Sequence, residues 1–179
     1  GRPKGVMVTH RNLVAMSLAY AMDVDTLSAQ DNSLYAAPMS HGAGLYHFPI
    51  LRAGGCHVIP RSCGFDPTEI AGLAQDLGNL VFFAAPTMIK RQLAHAAETG
   101  YDGKTIIYGG GPMYLADINE ALRRFGPRFV QIYGQGESPM TITVLPRNVV
   151  ADVSHPRADA RRASVGFAQV GLQVRVVDK

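Results

Sequence analysis

The sequence predicts an α/β fold: a largely parallel β-sheet flanked by helices. Three observations carry this reading. Short, wholly apolar runs such as Leu80-Val81-Phe82-Phe83-Ala84 have the composition of strands buried on both faces. Between such runs lie segments with apolar residues at helical spacing, as in Ile70, Leu73, Ala74 and Leu77. The two kinds of segment alternate, with glycine or proline at most of the changes, and no internal repeat or low-complexity stretch interrupts them.

Taken in order, residues 1–9 read as loop, and Thr9 caps a helix over 10–22 with Leu13, Met16 or Ser17, and Tyr20 on one face. Residues 33–37 form a strand that leaves through Pro38-Met39-Ser40-His41-Gly42. A helix over 45–53 stops at Gly54-Gly55, and residues 56–59 form a strand ended by Pro60. Asp66 then caps a helix, with Pro67 at its first position and Glu69 where a capping box needs a carboxylate. The strand 80–84 follows. Pro86 opens a helix with Ile89, Leu93 and Ala96 inward, ending at Gly100. The strand 105–108 runs into Gly109-Gly110-Gly111-Pro112. Leu115, Ile118, Leu122 and Phe125 mark a helix, with Arg123 and Arg124 in the last turn where cations suit the helix dipole. After the strand 129–132, residues 140–145 alternate as a half-buried strand does, 146–163 read as a polar surface loop, and 174–177 read as a last strand.

The chain has 179 residues, enough for one domain with a real core. No apolar run approaches the roughly 20 residues that span a bilayer, and the start has no secretory h-region. The chain opens in a loop and closes in a predicted strand, which points to a piece of a larger protein with uncovered sheet edges, open to association with a second copy. The net charge of +3 is scattered, which argues against a nucleic-acid partner. Cys56 and Cys63 are too few for a disulfide framework and lack zinc-ligand spacing, so the expected compartment is the reducing cytoplasm.

In a parallel sheet all strands end on one side, and ligands bind beyond those ends. His41, the 109–112 loop and the 133–137 loop each follow a strand, so sequence order predicts that they converge at one cleft. The densest stretch is Ile132-Tyr133-Gly134-Gln135-Gly136-Glu137-Ser138. It offers an aromatic face, exposed amides and a hard oxygen ligand, which suit a base, a phosphate and Mg2+ in turn. A plain turn with a solvated Glu137 is the other reading. Gly109, Gly110, Gly111 and Pro112 leave a flat wall for a planar base or a thin acyl tunnel, or form only a generous turn. His41 suits a carboxylate or a gate, or is a satisfied loop residue. Lys4, between Pro3 and Gly5, suits a phosphate, or is a solvated surface charge. No Ser-His-Asp set, cysteine nucleophile or Gly-x-Ser-x-Gly elbow stands out.

Together these stretches resemble the AMP-forming acyl-activating superfamily of acyl-CoA synthetases, adenylation domains and firefly-type luciferases. GRPKG with VMVTHRN resembles the second half of its phosphate loop and the usual continuation. APMSHGAG resembles its loop beside the acyl pocket, and YGGGPM its adenine-side loop. IYGQGE resembles its Tyr-Gly-x-Thr-Glu signature, and SVGFAQVGLQVRVVD its Ser-x-Gly segment and following strand. The likeness runs the length of the chain in the family's order. It implies ATP-dependent activation of a carboxylic acid to acyl-AMP, then transfer to a thiol, with ATP/AMP, Mg2+ and coenzyme A as participants. The alternatives are an adenylation domain loading a carrier-protein thiol and a catalytically incomplete nucleotide-binding module.

By position, the resemblance implies that Tyr133 stacks on adenine opposite Gly110, Gly111 and Pro112, with Gly109 and Ile132 beside the base. Gly134, Gln135 and Gly136 would follow the AMP phosphate, Glu137 would hold Mg2+, His41 would approach the acid's carboxylate, and Lys4 would handle the ATP phosphates. Residues 1–179 would be an incomplete AMP-binding N-terminal domain. The first half of the phosphate loop would lie before Gly1. The ribose-holding acid and the small C-terminal lid domain would lie past Lys179. Two residues depart from the pattern. Gly136 replaces the signature threonine, which removes a hydroxyl contact typically worth about 1.5–3 kcal/mol, and Gly111 replaces an alanine. Phe82, Phe83 and Met113 are apolar pocket-side candidates that point to a fatty or aromatic acid.

Overall fold

The structure is a computed structural model that describes residues 2–95 and 101–178. The parallel part of the sheet comprises β1 (Asn32–Leu34), β2 (Cys56–Val58), β3 (Leu80–Ala84), β4 (Thr105–Tyr108) and β5 (Phe129–Tyr133). β6 (Thr143–Leu145) and β7 (Phe167–Ala168) extend it antiparallel. The spatial order is β2-β1-β3-β4-β5-β6-β7. The chain passes from β1 to β2 on one side and then to β3 on the other. The switch point, where α/β folds place ligands, therefore lies between β1 and β3.

Strand alternation sorts the core into two layers. Leu80, Phe82, Ile106, Tyr108 and Phe129 pack with α4 (Pro67–Leu77), α5 (Pro86–His95) and α6 (Leu115–Phe125) on one face. Val81, Ile107, Val130 and Ile132 face the other way. They meet Met16 and Tyr20, at and just past the end of α1 (His10–Ala19), and Tyr46 between α2 (Gly42–Leu45) and α3 (His47–Ala53). β3 and β4 are thus covered on both sides, as their unbroken apolar runs require.

Several expectations are corrected. The Thr9 cap is present, reinforced by Asn12 accepting the Thr9 N–H. The helix it opens, however, ends at Ala19 and widens into a π turn over Tyr20–Val24. That turn keeps Tyr20 and Val24 inward, lets Asp23 accept the Val170 N–H at 2.7 Å, and precedes Asp25, which binds Thr105 and Arg147. The helix expected over 45–53 begins at His47, and a separate short helix, Gly42–Leu45, precedes it. Pro49 has no N–H to donate, so it fits the first turn of a helix restarted at His47 but not the interior of a continuous one. Asp66 caps α4 by accepting the Glu69 N–H at 2.9 Å, yet Glu69 does not complete a capping box. Its carboxylate instead takes the N–H groups of Arg61 and Ser62.

Residues 140–145 contribute only the three-residue β6, which is buried rather than half-buried, because Leu145 enters one core layer and Val144 the other. The expected polar loop over 146–163 contains α7 (Arg147–Ala151) and α8 (Ala158–Arg162), with Val149, Val150 and Arg162 buried. Residues 174–177 form no strand: Val176 and Val177 are exposed, and no strand among the described residues pairs with them. Ala96 and Gly100 lie outside the described residues.

Candidate functional site

The strand ends supply the site. After β1, the chain continues through buried Tyr35, Ala36 and Ala37 to Pro38 and on to His41, the residue before α2. After β4 come Gly109 and Gly110. Gly110 has φ +77°, a left-handed conformation that glycine adopts without penalty. After β5, the loop turns back through mutual bonds between the backbones of Gln135 and Ser138, each 3.2 Å. Gly134 sits under that turn. A Cβ there would lie 2.4 Å from the backbone nitrogen of Met140, so only glycine permits this approach.

The three loops meet. His41, Gly109, Gly110, Ile132, Gly134, Gln135 and Gly136 all line one cavity of about 530 Å3, closed by apolar side chains including Leu45, Phe83, Met88 and Met140. A second cavity of about 460 Å3 adjoins it. Gly110, Gly111, Pro112, Tyr133 and Gly134 line that space with Met113, Arg162, Ala163 and Val165. Gly110, Ile132 and Gly134 border both. The Tyr133 ring stays partly open, and its hydroxyl accepts a hydrogen bond from Gln135 Nε2 at 2.6 Å. A third space of about 570 Å3 lies on the far side of His41, against Val8, Leu13 and Phe48.

The two cavities differ in chemistry. The first is mostly apolar, and His41 is the one titratable side chain among the residues lining it. The second has an aromatic ring on one wall and a glycine-proline edge on another, the dimensions and surfaces that suit a planar base. Lys4 and Glu137 line neither cavity. Both are exposed, Lys4 on the N-terminal segment and Glu137 on the rim of the 134–138 loop. Of the pocket-side candidates, Phe83 lines the first cavity and Met113 the second, while Phe82 points to the opposite face of β3 and belongs to the core.

Sequence reasoning missed the wall made by residues 162–165. Arg162 is only 5% exposed. Its guanidinium donates to the carbonyl oxygens of Val150 and Asp152 at 2.8 and 3.1 Å and to Asn119 Oδ1 at 3.3 Å, which fixes α8 against α6 and α7. An arginine spent on backbone carbonyls looks, in sequence, like any surface cation. Tyr108, at the end of β4, donates to Gln131 Oε1 at 3.4 Å. Burial pushes its phenol well above the usual range and nearby Arg162 opposes this, so the group stays neutral within the core layer behind the site.

A doubly covered parallel sheet whose strand ends open into an apolar cavity and an aromatic-walled slot has the architecture of the N-terminal domains of adenylate-forming enzymes. The chain belongs to the AMP-binding enzyme family, which it matches over residues 1–179. It is 30% identical over 175 residues to the medium/long-chain-fatty-acid–CoA ligase FadD8 of Mycobacterium tuberculosis, covering 96% of this chain and 30% of that protein. It is 32% identical over 157 residues to a feruloyl-CoA synthase of an Amycolatopsis species, covering 85% and 31%. Among solved structures, ATP-bound MatB from Rhodopseudomonas palustris superposes with a TM-score of 0.73 at 26% identity, over 83% of this chain and 29% of that one. The chain thus spans about 30% of the length of the curated relatives it matches.

Proposed function

We propose that the protein carrying this chain uses ATP to activate a fatty or aromatic carboxylic acid as its acyl-AMP, and then transfers the acyl group to the thiol of coenzyme A. The observation that carries the proposal is the pair of adjoining cavities with a shared border of Gly110, Ile132 and Gly134. A molecule with its base in the slot and its acyl chain in the apolar cavity has its phosphate at that border. The reacting carboxylate and α-phosphorus then meet where two side-chain-free residues leave room. The two relatives, a fatty-acid–CoA ligase and a feruloyl-CoA synthase, handle acyl groups that suit the apolar lining.

In this reading Tyr133 stacks on adenine, facing Gly110, Gly111 and Pro112, while Gly109 and Ile132 complete the slot. Gly134, Gln135 and Gly136 line the phosphate path. His41, at the mouth of the apolar cavity, orients the acid's carboxylate, whose oxygen attacks the α-phosphorus as pyrophosphate leaves. Lys4 approaches the phosphates from the N-terminal segment and offsets their charge. Mg2+ would neutralise charge on the phosphate oxygens. Glu137 fits that ion, because Mg2+ is usually held by one or two carboxylates plus substrate phosphates. No cluster of three metal-ligating side chains exists among the described residues, so the nucleotide would supply the remaining oxygens. No helix is long and apolar enough to cross a membrane among the described residues, and both cysteines are free. The two free, exposed cysteines suit a reducing compartment, and the cytoplasm is the one proposed.

The test is isotope exchange between pyrophosphate and ATP, catalysed by the complete gene product in the presence of candidate acids. Exchange that depends on a fatty or cinnamic-type acid, followed by acid-dependent consumption of coenzyme A, is the expected result. No exchange with any carboxylic acid refutes the proposal.

A further inference from the structure

We propose that Gln169 is a positioning residue for the reaction: its buried amide sets the backbone of the loop that lines the phosphate path. The inference rests on the function just proposed. Gln169 follows β7 and is 2% exposed. Its Nε2 donates to the Met140 carbonyl at 2.9 Å and to the Thr143 carbonyl at 3.0 Å. Its own N–H donates to the Ile142 carbonyl at 3.2 Å, and the Ile142 N–H donates to the Tyr133 carbonyl at 2.9 Å. Gln169 thus reaches the far end of the β5–β6 connection directly and its start through Ile142. From outside, Asp23 in the π turn accepts the Val170 N–H, which holds the segment that carries Gln169.

The link to the site runs through backbone. Met140 has φ +63°, a left-handed conformation that a residue with a Cβ rarely adopts. Such a conformation persists only where the surroundings over-determine it. Here the Gln169 amide holds the Met140 carbonyl, and Gly134 packs under the Met140 nitrogen and Cα, where a Cβ would stand at 2.4 and 2.7 Å. A shift at Met140 is therefore a shift at Gly134, which borders both cavities, and at the Gln135–Ser138 turn between them. Stability alone does not account for the amide. Its Oε1 meets no donor among the described residues. A partly satisfied buried amide costs more than an apolar side chain of similar volume. What glutamine adds over methionine is the placing of two carbonyls, and departures of this kind from an apolar core gather at functional positions.

The experiment uses the complete gene product and acid-dependent pyrophosphate–ATP exchange, with KM for Mg-ATP and kcat measured separately. Gln169→Met and Gln169→Leu fill the space without donors. Asn32→Ala is the control for stability: it removes the bonds from Asn32 Nδ2 to the Leu77 and Gly78 carbonyls, at the opposite end of the sheet from the site. Both Gln169 variants should raise KM for Mg-ATP and lower kcat, with kcat/KM falling by about 10- to 100-fold, since a small misplacement of positioning groups is costly. Asn32→Ala should lower the melting temperature and leave both constants unchanged. A folded Gln169 variant that loses melting temperature alone, as the control does, overturns the inference and leaves the proposed function standing. A second measurement needs no variant. A non-hydrolysable ATP analogue with Mg2+, at saturation, should slow hydrogen exchange of the Gln169 side-chain amide in the wild-type protein, and an unchanged exchange rate also overturns the inference. Absence of exchange between pyrophosphate and ATP with every acid in the wild-type protein overturns the function, and this inference with it.

Discussion

Replacing Gly136 with threonine asks whether the 134–138 loop lies along a phosphate. A Cβ at Gly136 meets nothing closer than Val6 Cγ2 at 3.6 Å, an ordinary contact, and Gly136 is not among the glycines with positive φ. The backbone therefore accepts a branched side chain. A hydroxyl donated to a phosphate oxygen contributes about 1.5–3 kcal/mol, and fixing its rotamer costs about 0.5 kcal/mol. The net gain is about 1–2.5 kcal/mol, or roughly 5- to 70-fold tighter binding. The assay is calorimetric titration of a non-hydrolysable ATP analogue with Mg2+ into wild-type, Gly136→Thr and Gly136→Val forms of the complete gene product. Valine has the shape of threonine without the hydroxyl, so it separates the bond from the bulk. Threonine is expected to tighten binding while valine does not. Equal affinities for the two variants, with both folded, refute the assignment of this loop to a phosphate.

Gly134→Ala, two residues earlier, should behave in the opposite way: its Cβ would stand 2.4 Å from backbone, so overpacking of about 1–3 kcal/mol lowers the melting temperature by roughly 2–12 °C, and an unshifted melt contradicts the close approach. Glu137→Gln should slow Mg-ATP-dependent exchange by about 10- to 150-fold if one charged contact of about 1.5–3 kcal/mol is lost, without altering the circular dichroism spectrum; an unchanged rate removes Glu137 from the metal role. Arg162→Ala strands the Val150 and Asp152 carbonyls, so urea unfolding should show a loss of about 2–5 kcal/mol, and a change below about 0.5 kcal/mol means that the buried guanidinium is not needed. The Asp152 carboxyl is held below the usual carboxylate range first by the Ser154 hydroxyl, then by the Ser154 and His155 N–H groups and by Arg161. A depressed folded-state pKa stabilises above the unfolded value and is lost as pH falls through the folded one. The stability gap between wild type and Asp152→Asn should therefore hold near neutral pH and vanish in acid; a gap that persists there contradicts this.

How far the sequence could be read depended on where each signal was local. Thr105–Tyr108 was legible to the residue, and the helices Pro67–Leu77 and Leu115–Phe125 were legible as elements, because apolar spacing and terminal glycines agreed there. The cleft was legible through topology, since His41, Gly110 and Gly134 each follow a strand that ends on the same side. What was hidden depends on distant partners. The π turn over Tyr20–Val24 forms where Asp23 and Asp25 meet Val170, Thr105 and Arg147, which no local window contains. Arg162 reads as solvated until α7 supplies its acceptors. Val174 to Val177 carry strand propensity without a partner strand among the described residues, and propensity alone does not make a ladder. Met140, with φ +63°, is invisible in sequence, because its backbone is held by the close approach of Gly134 and by the buried amide of Gln169.

The most direct test of the paired-cavity account is calorimetric titration of AMP into the complete gene product, with Tyr133→Ala as the comparison. The account predicts that the wild-type protein binds AMP and that removing the ring abolishes binding, because Tyr133 forms the aromatic wall of the slot bordered by Gly110, Gly111 and Pro112. AMP binding of equal affinity in Tyr133→Ala would contradict it, placing the base elsewhere and separating the slot from the apolar cavity it adjoins.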